Sequence, residues 1–186
     1  GPRILQAAAK GQEMNRPDRI RESTENCLFG DRELPVLSQN TLVIGSGAAA
    51  RGVALRLLRS GQRDVTIVTE RWNAGTSFNA GSDKQTYYKL SLAGDILDSP
   101  RQMAADLFDG GCMHGTIALC EAQHSAQAFY YLVDLGVPFP HDLHGGYVGY
   151  RTDHDTRGRG TSAGPLTSRL MCECLGRALE SERVRV

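Results

Sequence analysis

Apolar and polar positions between residues 41 and 69 follow the pattern of a strand, a helix and a second strand. Thr41–Ile44 (TLVI) is a short apolar run of the kind that buried parallel strands use. Residues 48–59 carry apolar side chains without strict alternation and end before a Ser-Gly pair, which predicts a helix with a glycine stop. The β-branched residues 65–69 (VTIVT) predict another strand. The three elements together have the size of a βαβ unit.

Helical patterns return in the second half of the chain. Ser99 is placed to cap a helix that begins at Pro100 and stops at Gly110. Another helix is expected over residues 116–135, and Pro165 opens a last helix whose apolar residues recur with a 3.6-residue period. The helix over 116–135 carries an apolar stripe that we expect in the core: Cys120, Phe129, Leu132 and Val133.

The remaining segments show no sustained period. Residues 1–40 are polar and interrupted by glycine and proline, so we expect an N-terminal arm before a single domain over 41–186. Residues 72–97 and 144–164 are rich in glycine and predict loops, the second of them basic. The alternation at 183–186 is typical of the first half of a strand, which predicts that the sheet is incomplete within this chain.

Charge and composition exclude several classes of protein. The chain has 21 Lys and Arg against 21 Asp and Glu, so a net charge of zero gives no global bias toward nucleic acid or membrane surfaces. No apolar run approaches the roughly 20 residues of a transmembrane helix, and the first residues lack the apolar core of a signal peptide. We therefore expect a cytoplasmic protein without a membrane span.

The cysteines predict neither disulfides nor a metal. Their number, five, is odd and their spacing is irregular, so free thiols in a reducing compartment are expected. Cys172 and Cys174 lie two residues apart on a predicted helix, where their side chains diverge by about 200°. The histidines have no cysteine or carboxylate at a recognised ligand spacing, so no metal site is predicted.

One segment, between the first predicted strand and helix, carries a chemical motif. It matches the pattern G-x-G-x-x-[GA] with Gly45, Ser46, Gly47, Ala48, Ala49 and Ala50. In this context Gly45 permits the tight turn, Gly47 lets a pyrophosphate approach the backbone, and Ala50 keeps the helix close to the strand. The phosphates would lie at the helix N-terminus, where unpaired N–H groups and the helix dipole favour anions.

An acidic residue completes the motif. Glu70 ends the second strand 20 residues after Ala50, where a carboxylate can accept the ribose hydroxyls of an adenosine. An acid at this position disfavours a 2′-phosphate, so FAD or NAD is favoured over NADP. The alternative, a chance glycine turn beside a solvated acid, is disfavoured because strand, turn, helix, strand and acid are all in register.

Residues 41–186 resemble the start of a superfamily of FAD-dependent oxidoreductases: the flavoprotein subunits of fumarate reductase and succinate dehydrogenase, and L-aspartate oxidase. The resemblance rests on the motif described above, on the segment 75–82 (GTSFNAGS), on the helix that follows Asp98-Ser99, and on residues 135–139 (LGVPF). It implies an α/β fold, namely a Rossmann-like FAD-binding domain that forms the N-terminal part of a glutathione-reductase-type FAD fold.

The resemblance also implies which residues hold the cofactor. The motif from Gly45 to Ala50 would bind the FAD pyrophosphate, and Glu70 with Arg71 would bind the adenosine ribose. Four residues match the family's segment along the ribityl chain and the isoalloxazine: Thr76, Ser77, Gly81 and Ser82. Membrane-bound members have a histidine that binds FAD covalently where this chain has Gly75, so FAD is expected to be non-covalent.

Candidates for catalysis are fewer. Lys84 and Gln85 follow Ser82, which replaces a glycine common in relatives, and they are placed to approach the flavin; a solvated lysine is the alternative. The basic loop near residue 154 matches the family's loop of His and Arg, which makes His154 and Arg157 further candidates. Asp153 and Asp155 would favour the imidazolium form of His154, and the loop's arginines are suited to bind a substrate carboxylate, although structural and solvated roles are alternatives.

The function that the resemblance implies is part of an enzyme. We expect an FAD-binding part that transfers a hydride between flavin N5 and a small organic acid, amino acid or amine, and a further polypeptide that completes the fold. One alternative is a non-catalytic dinucleotide-binding subunit of a heteromeric complex. The other is a fragment of an NAD-binding dehydrogenase.

Overall fold

A computed structural model describes residues 26–82, 85–92, 96–182, 184 and 186. Its strands are β1 (Asn26–Phe29), β2 (Arg32–Pro35), β3 (Thr41–Ile44), β4 (Val65–Val68), β5 (Tyr87–Tyr88), β6 (Tyr150–Thr152) and β7 (Asp155–Thr161). Its helices are α1 (Ala48–Arg59), α2 (Thr76–Asn79), α3 (Pro100–Asp109), α4 (Gly115–Asp134) and α5 (Thr167–Ser181). None of the helices in these described ranges combines the length and the apolar character that crossing a bilayer requires.

The predicted βαβ unit is confirmed. Strands β3 and β4 are parallel, with Thr41 opposite Val65 and Ile44 opposite Val68. Helix α1 connects them and ends at Arg59 with Ser60 as its C-cap, and Gly61 follows with φ +96°, a backbone conformation that glycine adopts without strain. Since parallel neighbours need a crossover, the helical pattern between two apolar runs was sufficient to predict the unit.

One face of the parallel pair is buried and the other is not. Helices α1 and α5 pack together, and the core beside them includes Val43, Ile67 and Leu175. On the opposite face Leu42 is 53% and Ile44 81% exposed. Strands of parallel sheets are normally covered on both faces. In the described part of the chain, Leu42 and Ile44 on this apolar face are left exposed, which is unusual for a parallel pair.

Helices α3 and α4 form a second, smaller packing unit. The side chain of Ser99 accepts a hydrogen bond from the Gln102 N–H at 3.1 Å, which confirms the predicted cap of α3. The prediction that Cys120 lies in the core is wrong, because Cys120 is exposed. The buried stripe of α4 runs through Ala118, Ala122 and Phe129, and a residue two positions after Ala118 points to the opposite side of the helix.

An antiparallel sheet replaces part of a predicted loop. Residues 144–164 contain β6 and β7, and β7 pairs with β6 on one side and β5 on the other. Three buried residues of β7 are polar: Asp155, Arg159 and Thr161. Hydrophobic alternation therefore gave no signal for this strand.

The described ends of the chain are only partly as predicted. Within the expected arm, β1 and β2 form an antiparallel hairpin in which all strand residues are exposed. Residues 183 and 185 of the expected terminal strand lie outside the described residues. Val184 is buried against the core and lies outside any strand, and its N–H donates to the carbonyl of Leu179.

Candidate functional site

The turn between β3 and α1 presents an open helix N-terminus. Gly45 has φ +103°, and its N–H donates to the Val68 carbonyl at 2.8 Å, which fixes the turn to the end of β4. Gly47 is the N-cap residue of α1 and provides no side-chain cap. Ala50, in the first turn of α1, packs against the core. The first N–H groups of α1 thus lack a side-chain acceptor, which is the arrangement that binds anions.

The turn is packed closely against segment 75–82. A Cβ atom added to Gly47 would lie 3.1 Å from Ser77 Oγ, a tight contact that glycine avoids. The buried Ser46 hydroxyl lies 3.0 Å from the Thr69 hydroxyl, beyond the end of β4. Thr76, Ser77 and the turn are thereby held at the carboxyl edge of the parallel strands, where ligands of such sheets bind.

The far end of segment 75–82 is held by the start of α5. The Ser82 N–H donates to the Pro165 carbonyl at 3.0 Å. A Cβ on Gly81 would lie 3.1 Å from the Leu166 side chain, which makes this a second close approach. The segment is therefore fixed at both ends, while Thr76, Gly81 and Ser82 are exposed.

Gln85 reinforces this attachment instead of pointing toward a ligand. Its amide nitrogen donates to the Ala80 carbonyl at 3.2 Å and to Ser168 Oγ at 2.9 Å. Its amide oxygen accepts the Ser168 N–H at 3.0 Å. With these three bonds, the side chain expected to approach a flavin is used to join segment 75–82 to α5.

Glu70 and Arg71 lie just beyond β4, which ends at Val68 and not at Glu70 as the sequence predicted. Both are exposed. The Arg71 carbonyl accepts from the Ser46 hydroxyl at 3.5 Å, which holds this strand end beside the glycine turn. Because β3 and β4 are parallel, their carboxyl ends meet at one edge, and a carboxylate there is available to ribose hydroxyls.

Sequence reasoning missed Arg51, which the structure places beneath the turn. Its side chain is 1% exposed, and it donates hydrogen bonds to three different segments. Charged side chains are mostly exposed, so an arginine in α1 gave no reason to expect burial. The available signal was its position on the face of α1 that carries Ala54 and Leu55, both buried.

The two catalytic candidates that the structure describes, His154 and Arg157, are not bonded to the turn. Lys84 lies outside the described residues. His154 is exposed between β6 and β7. Arg157 donates to the Leu97 carbonyl at 3.0 Å and lies 3.5 Å from the Asp106 carboxylate. In the part of the chain that is described, no hydrogen bond or ion pair joins His154 or Arg157 to the glycine turn, so all three roles stay predictions.

Arg159, one of the arginines expected to bind a substrate carboxylate, is occupied by the protein's own carboxylates. It is 3% exposed and forms a bidentate pair with Asp98 at 2.7 and 2.8 Å. It also bonds to Asp106 at 2.7 Å and to Asp155 at 3.2 Å. Burial alone would lower the pKa of Arg159, but these carboxylates outweigh burial and raise it. The cluster joins β7 to α3 instead of binding substrate.

A cavity of about 860 Å³ adjoins helix α1. Small residues of α1 form one wall: Ala48, Ala49 and Gly52. Residues of α4, including His124 and Asp134, and residues of α5 form the others. Because its lining is mainly apolar, the cavity is an additional uncovered apolar surface beside the turn.

Residues 40–180 match the family model described as FAD binding domain. Mycobacterium smegmatis Sdh1, solved in complex with UQ1, is 21% identical with a TM-score of 0.64 over 76% of this chain and 23% of that chain. The E. coli quinol fumarate reductase FrdA is 15% identical with a TM-score of 0.64 over 79% of this chain and 25% of that chain.

A third solved structure has the same fold with a different named ligand. The 3-ketosteroid-delta4-(5alpha)-dehydrogenase from Rhodococcus jostii RHA1, in complex with 4-androstene-3,17-dione, is 18% identical with a TM-score of 0.62 over 79% of this chain and 37% of that chain. No curated protein sequence matches the chain. The chain spans 23% to 37% of the length of the three solved structures named above.

Proposed function

Because the chain belongs to the FAD-binding domain family and FAD is accordingly its cofactor, we propose that it forms the FAD-binding part of a flavin-dependent oxidoreductase. The reaction is hydride transfer between flavin N5 and a small organic acid, amino acid or amine. The observation that carries the proposal is the open N-terminus of α1 at the Gly45 turn, with Ser77 packed directly against Gly47.

Different residues around the turn suit the diphosphate, the adenosine ribose, and the ribityl chain and flavin of FAD. The turn from Gly45 to Ala50 binds the diphosphate through the N–H groups at the start of α1, because an uncapped helix N-terminus favours negative charge. Exposed Glu70, with Arg71, binds the adenosine ribose. Small hydroxyl and glycine residues follow the ribityl chain and the flavin, since they approach closely without blocking substrate: Thr76, Ser77, Gly81 and Ser82.

The chain's own residues hold the cofactor, and the flavin supplies the hydride chemistry when bound. Gly75, the N-cap residue of α2, has no side chain that could form a covalent bond to the flavin, so the cofactor is dissociable. The bonds of Gln85 and Ser82 to α5 keep the segment beside the flavin in place before FAD arrives. Such preorganisation reduces the entropy that binding costs.

We also propose that further polypeptide completes this domain in a heteromeric complex. Two observations support this: the exposed face of β3 and β4, and the apolar cavity beside α1. In this scheme residues 1–40 form an arm and residues 41–186 the N-terminal portion of the FAD-binding domain. A cytoplasmic location is part of the proposal and is supported by the five free cysteines.

An absorption spectrum of the purified protein, before and after acid precipitation, tests the cofactor. We expect yellow colour at about 450 nm that leaves with the supernatant, as dissociable flavin does. Intact mass spectrometry of the same sample tests for a second polypeptide. A colourless protein that cannot be reconstituted with FAD contradicts the proposal.

Anaerobic addition of small acids, amino acids and amines tests the reaction. Bleaching of the bound flavin by one of them supports hydride transfer. A flavin that none of them bleaches, but that dithionite reduces, supports the alternative of a non-catalytic subunit. Retention of NAD in place of FAD would instead favour the dehydrogenase fragment.

A further inference from the structure

The feature that carries a further inference is the buried guanidinium of Arg51. Its Nε donates to the Ser46 carbonyl at 2.7 Å, inside the glycine turn. One terminal nitrogen donates to the Cys172 carbonyl in α5 at 2.7 Å, and the other donates to Asn73 Oδ1, beyond β4. The guanidinium also lies 4.0 Å from the centre of the Trp72 ring. One side chain therefore holds three segments around the candidate cofactor site.

All three acceptors of Arg51 are neutral. Among the residues that the structure describes, no carboxylate forms a salt bridge with it. Burial lowers the pKa of Arg51, but a guanidinium stays protonated at neutral pH. The Glu180 carboxylate acts electrostatically on Arg51 and opposes this lowering, but it forms no salt bridge with the guanidinium. A buried charge without a directly paired counter-ion is unfavourable, so the folded chain has a positive charge beneath the turn that an anion would stabilise.

The bond to Ser46 also sets the direction of the next peptide group. In a trans peptide the C=O and the following N–H point in opposite directions. Since the Ser46 carbonyl points toward Arg51, the Gly47 N–H points away from it. Of the described residues, none accepts a hydrogen bond from this N–H. Arg51 therefore turns a free donor of the glycine turn outward.

We propose that Arg51 is a positioning residue for the cofactor's diphosphate. It orients the Ser46-Gly47 peptide so that the Gly47 N–H faces the diphosphate, and its buried positive charge is balanced when that anion binds. The inference rests on the proposed function, since it requires a dinucleotide at this turn. Arg51 touches no ligand itself, because its side chain is buried behind the backbone that would bind it.

Calorimetric titration of the cofactor-stripped, full-length protein with ADP and with adenosine tests the inference. Adenosine keeps the groups that Glu70 and Arg71 would bind but lacks the diphosphate. For Arg51→Met we expect ADP affinity to fall by about tenfold or more, because the Gly47 N–H loses its orientation and the diphosphate loses a nearby positive charge. Adenosine affinity should stay within about twofold, because nothing that contacts the nucleoside has changed.

Two further variants distinguish loss of the positive charge at Arg51 from a general disturbance of helix α1. Arg56→Met removes an exposed charge from the same helix without touching the turn, and we expect it to bind ADP like the wild type. Arg51→Lys keeps the charge but loses the planar fork, so we expect intermediate ADP affinity with the salt dependence of the wild type. Arg51→Met should show a weaker salt dependence. If Arg51→Met does not fold, the lysine variant carries the test.

The outcomes distinguish this inference from the proposed function. Wild-type protein that binds neither FAD nor ADP contradicts the proposed function, and the inference falls with it. Wild-type protein that binds both, with Arg51→Met or Arg51→Lys binding ADP equally well, overturns only the inference. Equal losses for ADP and adenosine also overturn it, because they indicate a merely structural residue.

Discussion

Individual residues at the glycine turn have separable roles. Gly45 is required for its backbone angle, φ +103°, whereas Gly47 is required for the approach of Ser77. The tight turn at Gly45 could be predicted from the motif, because strand, turn and helix come in a fixed order around it, whereas the packing of Ser77 against Gly47 could not. The burial of Arg51 and Arg159 could not be predicted, since a charged side chain is buried only through partners that are distant in sequence.

Two glycine-to-alanine substitutions distinguish a glycine that is needed for its positive φ from one that only adds backbone flexibility to a helix. Gly45→Ala should lower the free energy of unfolding by about 1–2 kcal/mol, because a Cβ disfavours positive φ. Gly52→Ala lies within α1 with open space around it and should raise that free energy by about 0.5–1 kcal/mol. Urea denaturation of both variants measures the difference. Equal effects of the two substitutions would contradict the strain assigned to Gly45.

The Arg159 cluster predicts a defined response to acid. Burial alone would raise the pKa of Asp98, but hydrogen bonds from Arg159 and from backbone N–H groups outweigh burial and lower it. A group whose pKa is lowered in the folded state stabilises the fold above its unfolded pKa and loses that contribution as pH falls through the folded pKa. For Asp98 the loss begins near its ordinary value of 3.8 and continues below it.

Substitution of Asp98 by asparagine tests this response. The free-energy difference between wild type and Asp98→Asn should be constant from pH 6 to about 5 and should shrink below about pH 4. Thermal unfolding followed by circular dichroism across this range gives the difference at each pH. A difference that stays constant down to about pH 2 would exclude a lowered pKa for this carboxylate.

At the scale of elements, the sequence predicted those elements whose formation depends on residues that are close together in the chain. The βαβ unit and the capped helix α3 were predicted because apolar period, cap and stop residues agree with each other. Strand β7 was missed because its buried positions include the polar residues Asp155, Arg159 and Thr161, and the burial of Arg159 depends on its pairing with the distant Asp98. The sheet that they form is therefore a tertiary feature without a local pattern.

The cap of α3 gives a prediction at this scale. Ser99→Ala removes the hydroxyl that accepts the Gln102 N–H and should lower the free energy of unfolding by about 1 kcal/mol. Ser181→Ala, in the last turn of α5, removes an exposed hydroxyl that bonds only to a carbonyl of its own helix, and should change it by less than about 0.5 kcal/mol. Chemical denaturation compares the two, and a larger loss for Ser181→Ala would contradict the assigned cap.

At the scale of the whole molecule, the parallel pair is covered on one face only. Helix α1 packs on the face that carries Val43 and Ile67, with α5 behind it, while Leu42 and Ile44 on the other face are exposed. The sequence predicted an incomplete sheet, although the terminal residues that suggested it are only partly described. The uncovered face is a separate finding, because it lacks a covering layer, whereas an incomplete sheet lacks further strands.

A charge placed on this face tests whether another polypeptide covers it. Leu42→Asp should disrupt the complex, because the substituted carboxylate would be buried without a partner. Leu143→Asp is the matched control, since Leu143 is 100% exposed and lies in a loop. Analytical ultracentrifugation of each variant measures assembly. If Leu42→Asp assembles like wild type, the face is not covered.

The bond between Arg51 and the Cys172 carbonyl joins residues 121 positions apart. Contacts of such long sequence separation form late, because the entropy of closing the loop opposes them until other elements have packed. The bonds from Gly45 to Val68 and from Ser46 to Thr69 form without α5, but the Arg51 guanidinium is not fully held until α5 has docked. We therefore expect a nascent chain to gain its full affinity for FAD only after α5 has emerged from the ribosome, so that cofactor capture follows folding of this domain instead of nucleating it.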